Sequence, residues 1–140
     1  MAKAKSSDRD LFEEFSERVG FVTSIEDWAR KHNHNVHVAV NEHKEIKEPI
    51  VSEIRKMGAL SVLDVGTGYG FLMSRLNQVS CNSTITGTDI SRFQVINAKL
   101  RKVKGFLVVC CAEYMPFKSD FFDFVVCSEV IARVIFLIQK

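Results

Sequence analysis

The sequence predicts an α/β fold built on a parallel sheet, and three observations predict it. Beyond Gly58 the 140-residue chain alternates short apolar runs with helix-spaced apolar stripes. Two of those runs, residues 106–110 and 122–127, are apolar without alternation, the second broken only by Asp123, as expected of strands covered on both faces. The first run, Val62-Leu63-Asp64-Val65, breaks into Gly66-Thr67-Gly68-Tyr69-Gly70 before an apolar helix begins at Phe71. Strands alternating with helices of this length pack as a parallel sheet with right-handed crossovers.

The N-terminal part reads as helical. Ser7 and Asp10 can cap a first helix that carries Leu11, Phe12, Phe15 and Val19 on one face and stops at Gly20. Ser24-Ile25-Glu26-Asp27 can start a short second helix. Residues 31–41 show no clear period and read as loop. Pro49 suits a first turn, so a third helix is expected from about Glu48 to Met57, burying Ile50, Val51 and Ile54 and ending at Gly58.

The second part reads as strand and helix in turn. Residues 60–65 form the first strand, and residues 71–79 a helix with Phe71, Leu72, the Arg75 stem, Leu76 and Val79 near one face. Residues 84–88 form a second strand ending at Asp89. A second crossover helix over 92–103 carries Phe93, Ile96, Leu100 and Val103 at spacings of three and four. Residues 106–110 and 122–127 supply strands three and four. The chain divides at Gly58 into a helical segment (1–58) and a sheet domain (59–140).

Composition bounds the function. The 19 basic and 17 acidic residues leave a net charge of +2, too small to argue for a nucleic-acid or anionic-membrane partner. No apolar segment follows the charged N-terminus as a secretory signal would require, and the longest apolar stretch is too short to span a bilayer. Cys81, Cys110, Cys111 and Cys127 show no C-x-x-C spacing, and three sit in apolar runs where a reduced thiol acts as a small hydrophobe. A cytoplasmic protein is expected. His32, His34, His37 and His43 are loosely spaced and read as solvated loop histidines rather than metal ligands. Lys99, Arg101, Lys102 and Lys104 complement the end of a helix dipole.

The glycine turn carries the chemistry. Glycines remove Cβ atoms so that backbone can approach a ligand, and the unpaired N–H groups of the following helix face it. A dinucleotide fingerprint would need its third glycine at position 71, where this chain has Phe. Asp89 lies 19 positions beyond Gly70, where an acidic side chain can accept hydrogen bonds from ribose hydroxyls. Asp89 could instead cap the next helix, but Ser91 can fill that role. A third piece follows, Cys111-Ala112-Glu113-Tyr114-Met115-Pro116-Phe117, and then Asp120-Phe121-Phe122-Asp123-Phe124-Val125-Val126.

In order and spacing these pieces resemble the class I S-adenosylmethionine-dependent methyltransferases, in particular the small methyltransferases of ubiquinone and menaquinone biosynthesis. The resemblance covers residues 51–130. It implies a Rossmann-like doubly wound sheet, of which about four strands, the first half, are present. It also implies S-adenosylmethionine as cofactor and a methyl group transferred to an acceptor. By resemblance, Gly66, Thr67, Gly68 and Gly70 line the methionine part of the donor, and Asp64 helps hold its amino group. Asp89 binds the ribose, Ile90 packs on the adenine, and Ala112 and Glu113 lie at the adenine edge. Ser128 and Glu129 border the methyl group and the substrate, and residues 1–58 lie on the substrate side. Cys111 stands where the family usually has Asp, which weakens an adenine contact because a thiol is a poor acceptor.

No nucleophile–histidine–acid set is present, so no catalytic residue is named; in-line methyl transfer needs mainly positioning. A small-molecule acceptor is expected, with nucleic acid and protein acceptors left open. The family sheet has seven strands, so the chain is expected to be a fragment, or one whose exposed fourth-strand edge self-associates or takes a partner. Two rival functions stand beside the methyltransferase: a non-catalytic cofactor-binding or interaction module completed by a partner, and a nicotinamide-dependent oxidoreductase, which Phe71 disfavours.

Overall fold

A computed structural model of the protein describes residues 25–79 and 82–128. The helix expected over residues 7–19 lies outside them, as do Cys81 and Glu129. The elements are α1 (Ile25–Lys31), α2 (Val36–Met57), β1 (Ser61–Val65), α3 (Phe71–Gln78), β2 (Thr84–Asp89), α4 (Arg92–Leu100), β3 (Phe106–Val109) and β4 (Phe124–Val126). The four strands form one parallel sheet in the order β3-β2-β1-β4. The chain winds outward from β1 to β3, then returns to place β4 on the other side of β1. The strand order therefore reverses between β1 and β4, and the crevice beyond their C-terminal ends is where such sheets bind ligands.

The helical segment differs from expectation. Residues 31–41 are not a loop, and the third helix does not start at Glu48: α2 runs 22 residues, with Pro49 inside it. Its N-cap is Asn35, whose side chain accepts from Val38 N at 3.1 Å. Proline frees the carbonyl four residues back from its hydrogen bond. Here Pro49 and Glu45 are both exposed, so water can satisfy that carbonyl and the helix continues. Two reverse bonds close the C-terminus, from Gly58 N to Arg55 O (3.1 Å) and from Ala59 N to Ile54 O (3.3 Å), with Gly58 left-handed at φ 61°. His37 and His43 consequently sit on a helix rather than in a loop.

One core joins both parts of the chain. Val51 and Ile54 of α2 pack with Val62 of β1, Leu72, Met73 and Leu76 of α3, Ile85 of β2 and Val126 of β4. Met73, absent from the expected face of α3, is fully buried, whereas Phe71 and Arg75 turn away from that core. The close approach of α3 to the sheet depends on Gly87. A Cβ there would stand 2.5 Å from Met73 Sδ and 2.8 Å from Thr67 Oγ1. The crossover helix α4 ends at Leu100, and its buried side chains are Val95, Asn97 and Ala98 rather than Phe93, Ile96 and Leu100, which are half-buried.

Strands β3 and β4 are shorter than expected and are not covered on both faces. Phe106, Val109 and Val125 are 63%, 48% and 56% exposed. Both strands lie at the edges of the described sheet, so their continuous apolar runs do not mean burial. At the other end of the strands, Asp123 Oδ2 accepts from Leu60 N and Ser61 N, each at 2.9 Å, and from Ser61 Oγ at 3.0 Å. This ties the start of β4 to the start of β1 and holds the Asp123 carboxyl below the usual carboxylate range, chiefly through the Ser61 amide.

Candidate functional site

The glycine turn leaves the C-terminal end of β1 at the centre of the sheet. Gly66, Gly68 and Gly70 all have positive φ, at 73°, 56° and 76°. Three left-handed residues at alternate positions curl the chain tightly enough for α3 to start at Phe71 with Gly70 as its N-cap. Buried bonds fix the turn. Thr67 N donates to Thr88 O at 2.8 Å, Gly70 N to Thr67 O at 2.9 Å, and Thr67 Oγ1 to Asp64 Oδ2 at 2.8 Å. Asp64 is 2% exposed, so its carboxylate faces the turn from below, inside the protein.

Asp89 closes the turn from the neighbouring strand. Its Oδ2 accepts from Gly68 N at 3.0 Å and its Oδ1 from Ser91 N at 2.8 Å. Ser91 is the N-cap of α4, its hydroxyl accepting from Gln94 N, so the capping task falls to serine as expected. Each carboxylate oxygen accepts two hydrogen bonds readily, so Asp89 retains acceptor capacity toward the crevice. Ile90, beside it, is 73% exposed and presents an apolar surface at the rim.

On the far side of β2, beyond the end of β3, Cys110 N continues the ladder to Asp89 O at 3.1 Å. Burial raises the pKa of the Cys110 thiol. Cys111 Sγ donates to Glu113 Oε2, and that bond is the main cause of the lowered Glu113 pKa. Ala112 is half-buried and Glu113 exposed. Cys110, Cys111 and Cys127 are free thiols, and Cys127 is exposed, not the small core hydrophobe expected of it. Ser128, two residues past β4, accepts from Lys47 Nζ of α2 at 2.7 Å. The structure thus gathers Asp64, Gly66, Thr67, Gly68, Gly70, Asp89 and Ile90 around one turn. Ala112, Cys111 and Glu113 follow the strand next to it, and Ser128 follows the strand on its other side.

Two residues near the turn escaped the sequence reading. Arg101, read as a helix-end charge, instead folds back so that its Nη1 donates to Tyr69 O at 2.6 Å and its guanidinium lies 4.4 Å from the centre of the Phe71 ring. Burial lowers the Arg101 pKa. The same aromatic pair meets α2 and the α1–α2 junction: His43 stands edge-on to Phe71 at 5.3 Å, and His32 lies 6.4 Å from Tyr69. Lys47 is the second. The signal for it lies in the spacing 39, 43, 47, 51, 54, which places Lys47 on the apolar stripe of α2 once the helix is extended back to Val36. A cavity of about 480 Å³ opens along Phe71, Ser74, Arg75 and Gln78, on the side of α3 away from its core residues. It is not the crevice at the strand ends, and the glycine turn does not line it. No group of metal-ligating side chains converges among the described residues. None of the described helices is long and apolar enough to cross a membrane.

A parallel 3-2-1-4 sheet with a glycine turn after its central strand and an acidic residue ending the next is the arrangement of the Rossmann-like α/β domains. Residues 63–136 match the methyltransferase domain family, over more than half the chain, and the protein belongs to that family. It is similar in structure to the magnesium protoporphyrin IX methyltransferase of Synechocystis PCC 6803, solved with bound SAM (TM-score 0.57, 19% identity, covering 90% of this chain and 64% of that one). It also resembles the plantazolicin methyltransferase BpumL, solved with SAH (TM-score 0.47, 14% identity, covering 82% and 49%). The first likeness shows the shared fold. The chain spans about half to two-thirds of the length of these solved methyltransferases. No curated protein matches it.

Proposed function

We propose that the chain binds S-adenosylmethionine at the glycine turn and is the donor-binding part of a methyltransferase acting on a small-molecule acceptor. The arrangement that carries this reading is Asp89 set against the turn, with Gly68 N on one carboxylate oxygen and Ser91 N on the other. In that posture the carboxylate can accept from two adjacent ribose hydroxyls. Gly66, Thr67, Gly68 and Gly70 border the methionine part; a Cβ on Gly68 would stand 2.9 Å from Gln94 Oε1 and one on Gly70 3.1 Å from Ala98, so these two glycines let the turn pack closely on α4. Asp64 holds Thr67 in place and sets the charge beneath the amino group. The exposed side chain of Ile90 offers the adenine an apolar face. Ala112 and Glu113 flank the adenine edge. Cys111, whose S–H points to Glu113, supplies no strong acceptor there.

The bound donor supplies an already activated methyl group. The task left to this chain is to hold donor and acceptor in line and to exclude water, which is worth several kcal/mol without a catalytic dyad. Ser128 lies at the crevice end of β4, where it borders the acceptor side. Calorimetric titration of the full chain with S-adenosylmethionine, S-adenosylhomocysteine and NAD tests the reading. Heat with both sulfur compounds and none with NAD is expected. A folded sample that binds neither sulfur compound refutes it.

A further inference from the structure

The glycine turn is braced in two halves. The first is tied to β2, where Thr67 N donates to Thr88 O and Gly68 N to Asp89 Oδ2. The second, Tyr69 and Gly70, is tied to α4. Gln94 and Ala98 are four residues apart and share one face of α4, and Arg101, three residues further at its C-cap, continues that face. The turn lies directly against it: a Cβ on Gly68 would stand 2.9 Å from Gln94 Oε1, and one on Gly70 3.1 Å from Ala98 Cβ. Arg101 closes the contact. Its Nη1 donates to Tyr69 O at 2.6 Å, and its guanidinium lies 4.4 Å from the centre of the Phe71 ring. Its own backbone is held in turn, Arg101 N donating to Asn97 O at 2.9 Å.

One side chain therefore grips both neighbours of Gly70, the buried residue at φ 76° where turn becomes helix. A guanidinium suits the task, because its in-plane N–H groups take the carbonyl while its flat face stacks on the ring. What the grip opposes is entropy. Glycine has more backbone freedom to lose than any other residue, and this turn contains three within five positions. A ligand that requires one conformation binds more weakly in proportion to the fraction of chains holding it.

We infer that Arg101 is a positioning residue for the methyl donor: it holds residues 69–71 in the conformation that receives S-adenosylmethionine, acting through the turn rather than on the ligand. This rests on the donor-binding reading above. The test titrates the full chain with S-adenosylhomocysteine, which lacks the sulfonium charge, in the wild type, Arg101→Met and Lys102→Met. Lys102 is the charge control: it is exposed and lines the same cavity as Arg101. Arg101→Met should bind about ten-fold more weakly, with Lys102→Met close to the wild type. Amide hydrogen exchange over residues 66–71 should be faster in free Arg101→Met than in the free wild type, and saturating ligand should narrow that gap. Melting temperature reports folding. If Arg101→Met does not fold, Arg101→Gln, whose side chain ends well short of Tyr69 O, replaces it under the same criteria. A folded variant with wild-type affinity, even one that melts lower, overturns the inference. So does an equal loss of affinity in Lys102→Met, or turn exchange that Arg101→Met leaves unchanged. A folded wild type that gives no heat with S-adenosylhomocysteine sinks the donor-binding reading instead, while exchange in the free chain still reads the brace.

Discussion

Replacing Asp89 by asparagine changes one oxygen to an amide and leaves the volume almost unchanged, so its effect measures the carboxylate itself. In the native turn Oδ1 and Oδ2 each accept a backbone N–H, from Ser91 at 2.8 Å and Gly68 at 3.0 Å. An asparagine has one acceptor oxygen and one donor NH2. Whichever way it flips, one backbone N–H then faces a donor. Hydrogen bonds to charged groups are worth about 1.5–3 kcal/mol, and Asp89 is half-buried, so the variant should lose about 1–3 kcal/mol of stability. In a chain of this size that lowers the melting temperature by roughly 3–5 °C per kcal/mol.

The same change strikes the ligand. If the carboxylate accepts ribose hydroxyls, removing its charge weakens S-adenosylhomocysteine binding by about 1–3 kcal/mol, or roughly 5- to 150-fold. Thermal unfolding and calorimetry on one preparation read both effects. A variant that melts with the wild type refutes the turn-bracing role. One that melts lower yet binds S-adenosylhomocysteine with unchanged affinity refutes the ribose assignment alone.

Two further perturbations probe the frame around the site. Gly87→Ala places a methyl 2.5 Å from buried Met73 and 2.8 Å from the Thr67 hydroxyl, so it should cost about 1–3 kcal/mol and weaken ligand binding through the turn; unchanged urea midpoint and affinity would show that the turn yields freely. The Asp123 carboxyl has its pKa lowered by the Ser61 and Leu60 groups, so its stabilisation is complete above the unfolded-state carboxylate value and lost as pH falls through the lowered folded value. The stability difference between wild type and Asp123→Asn should therefore shrink on acidification below the normal carboxylate range, and a difference constant with pH from neutrality to strong acid would rule that mechanism out.

Most of the sheet was legible because its signals are local. Glycines at alternate positions and Ser91 before a helix act through neighbours a few residues away, and Asp89 is marked by its place at a strand end although its partner Gly68 lies 21 residues back; the structure keeps them in those places. The errors fell where a local signal was overruled. Pro49 argued for a helix start, but its exposed position lets α2 pass through it, and Asn35 was the better cap. The continuous apolar runs of β3 and β4 argued for two-sided cover, but in the described sheet both strands lie at edges. Hydrophobicity along a strand reports what could be buried, not which neighbour is present to bury it.

Lys47 and Arg101 show a second limit, and it is a matter of charge rather than shape. In sequence each belongs to a polar stretch, so each reads as a solvated group at a helix surface. Their roles come from contacts across 81 residues to Ser128 and 32 residues to Tyr69. No local rule assigns such a partner. The periodicity of α2 could nonetheless have flagged Lys47, because a cation that falls on the apolar stripe of a correctly bounded helix must be buried or must break the packing. The proline misreading cut the helix to residues 48–57 and removed that test. A boundary error of a dozen residues, harmless to the fold class, thus hid the buried lysine that ties α2 to the chain just past β4.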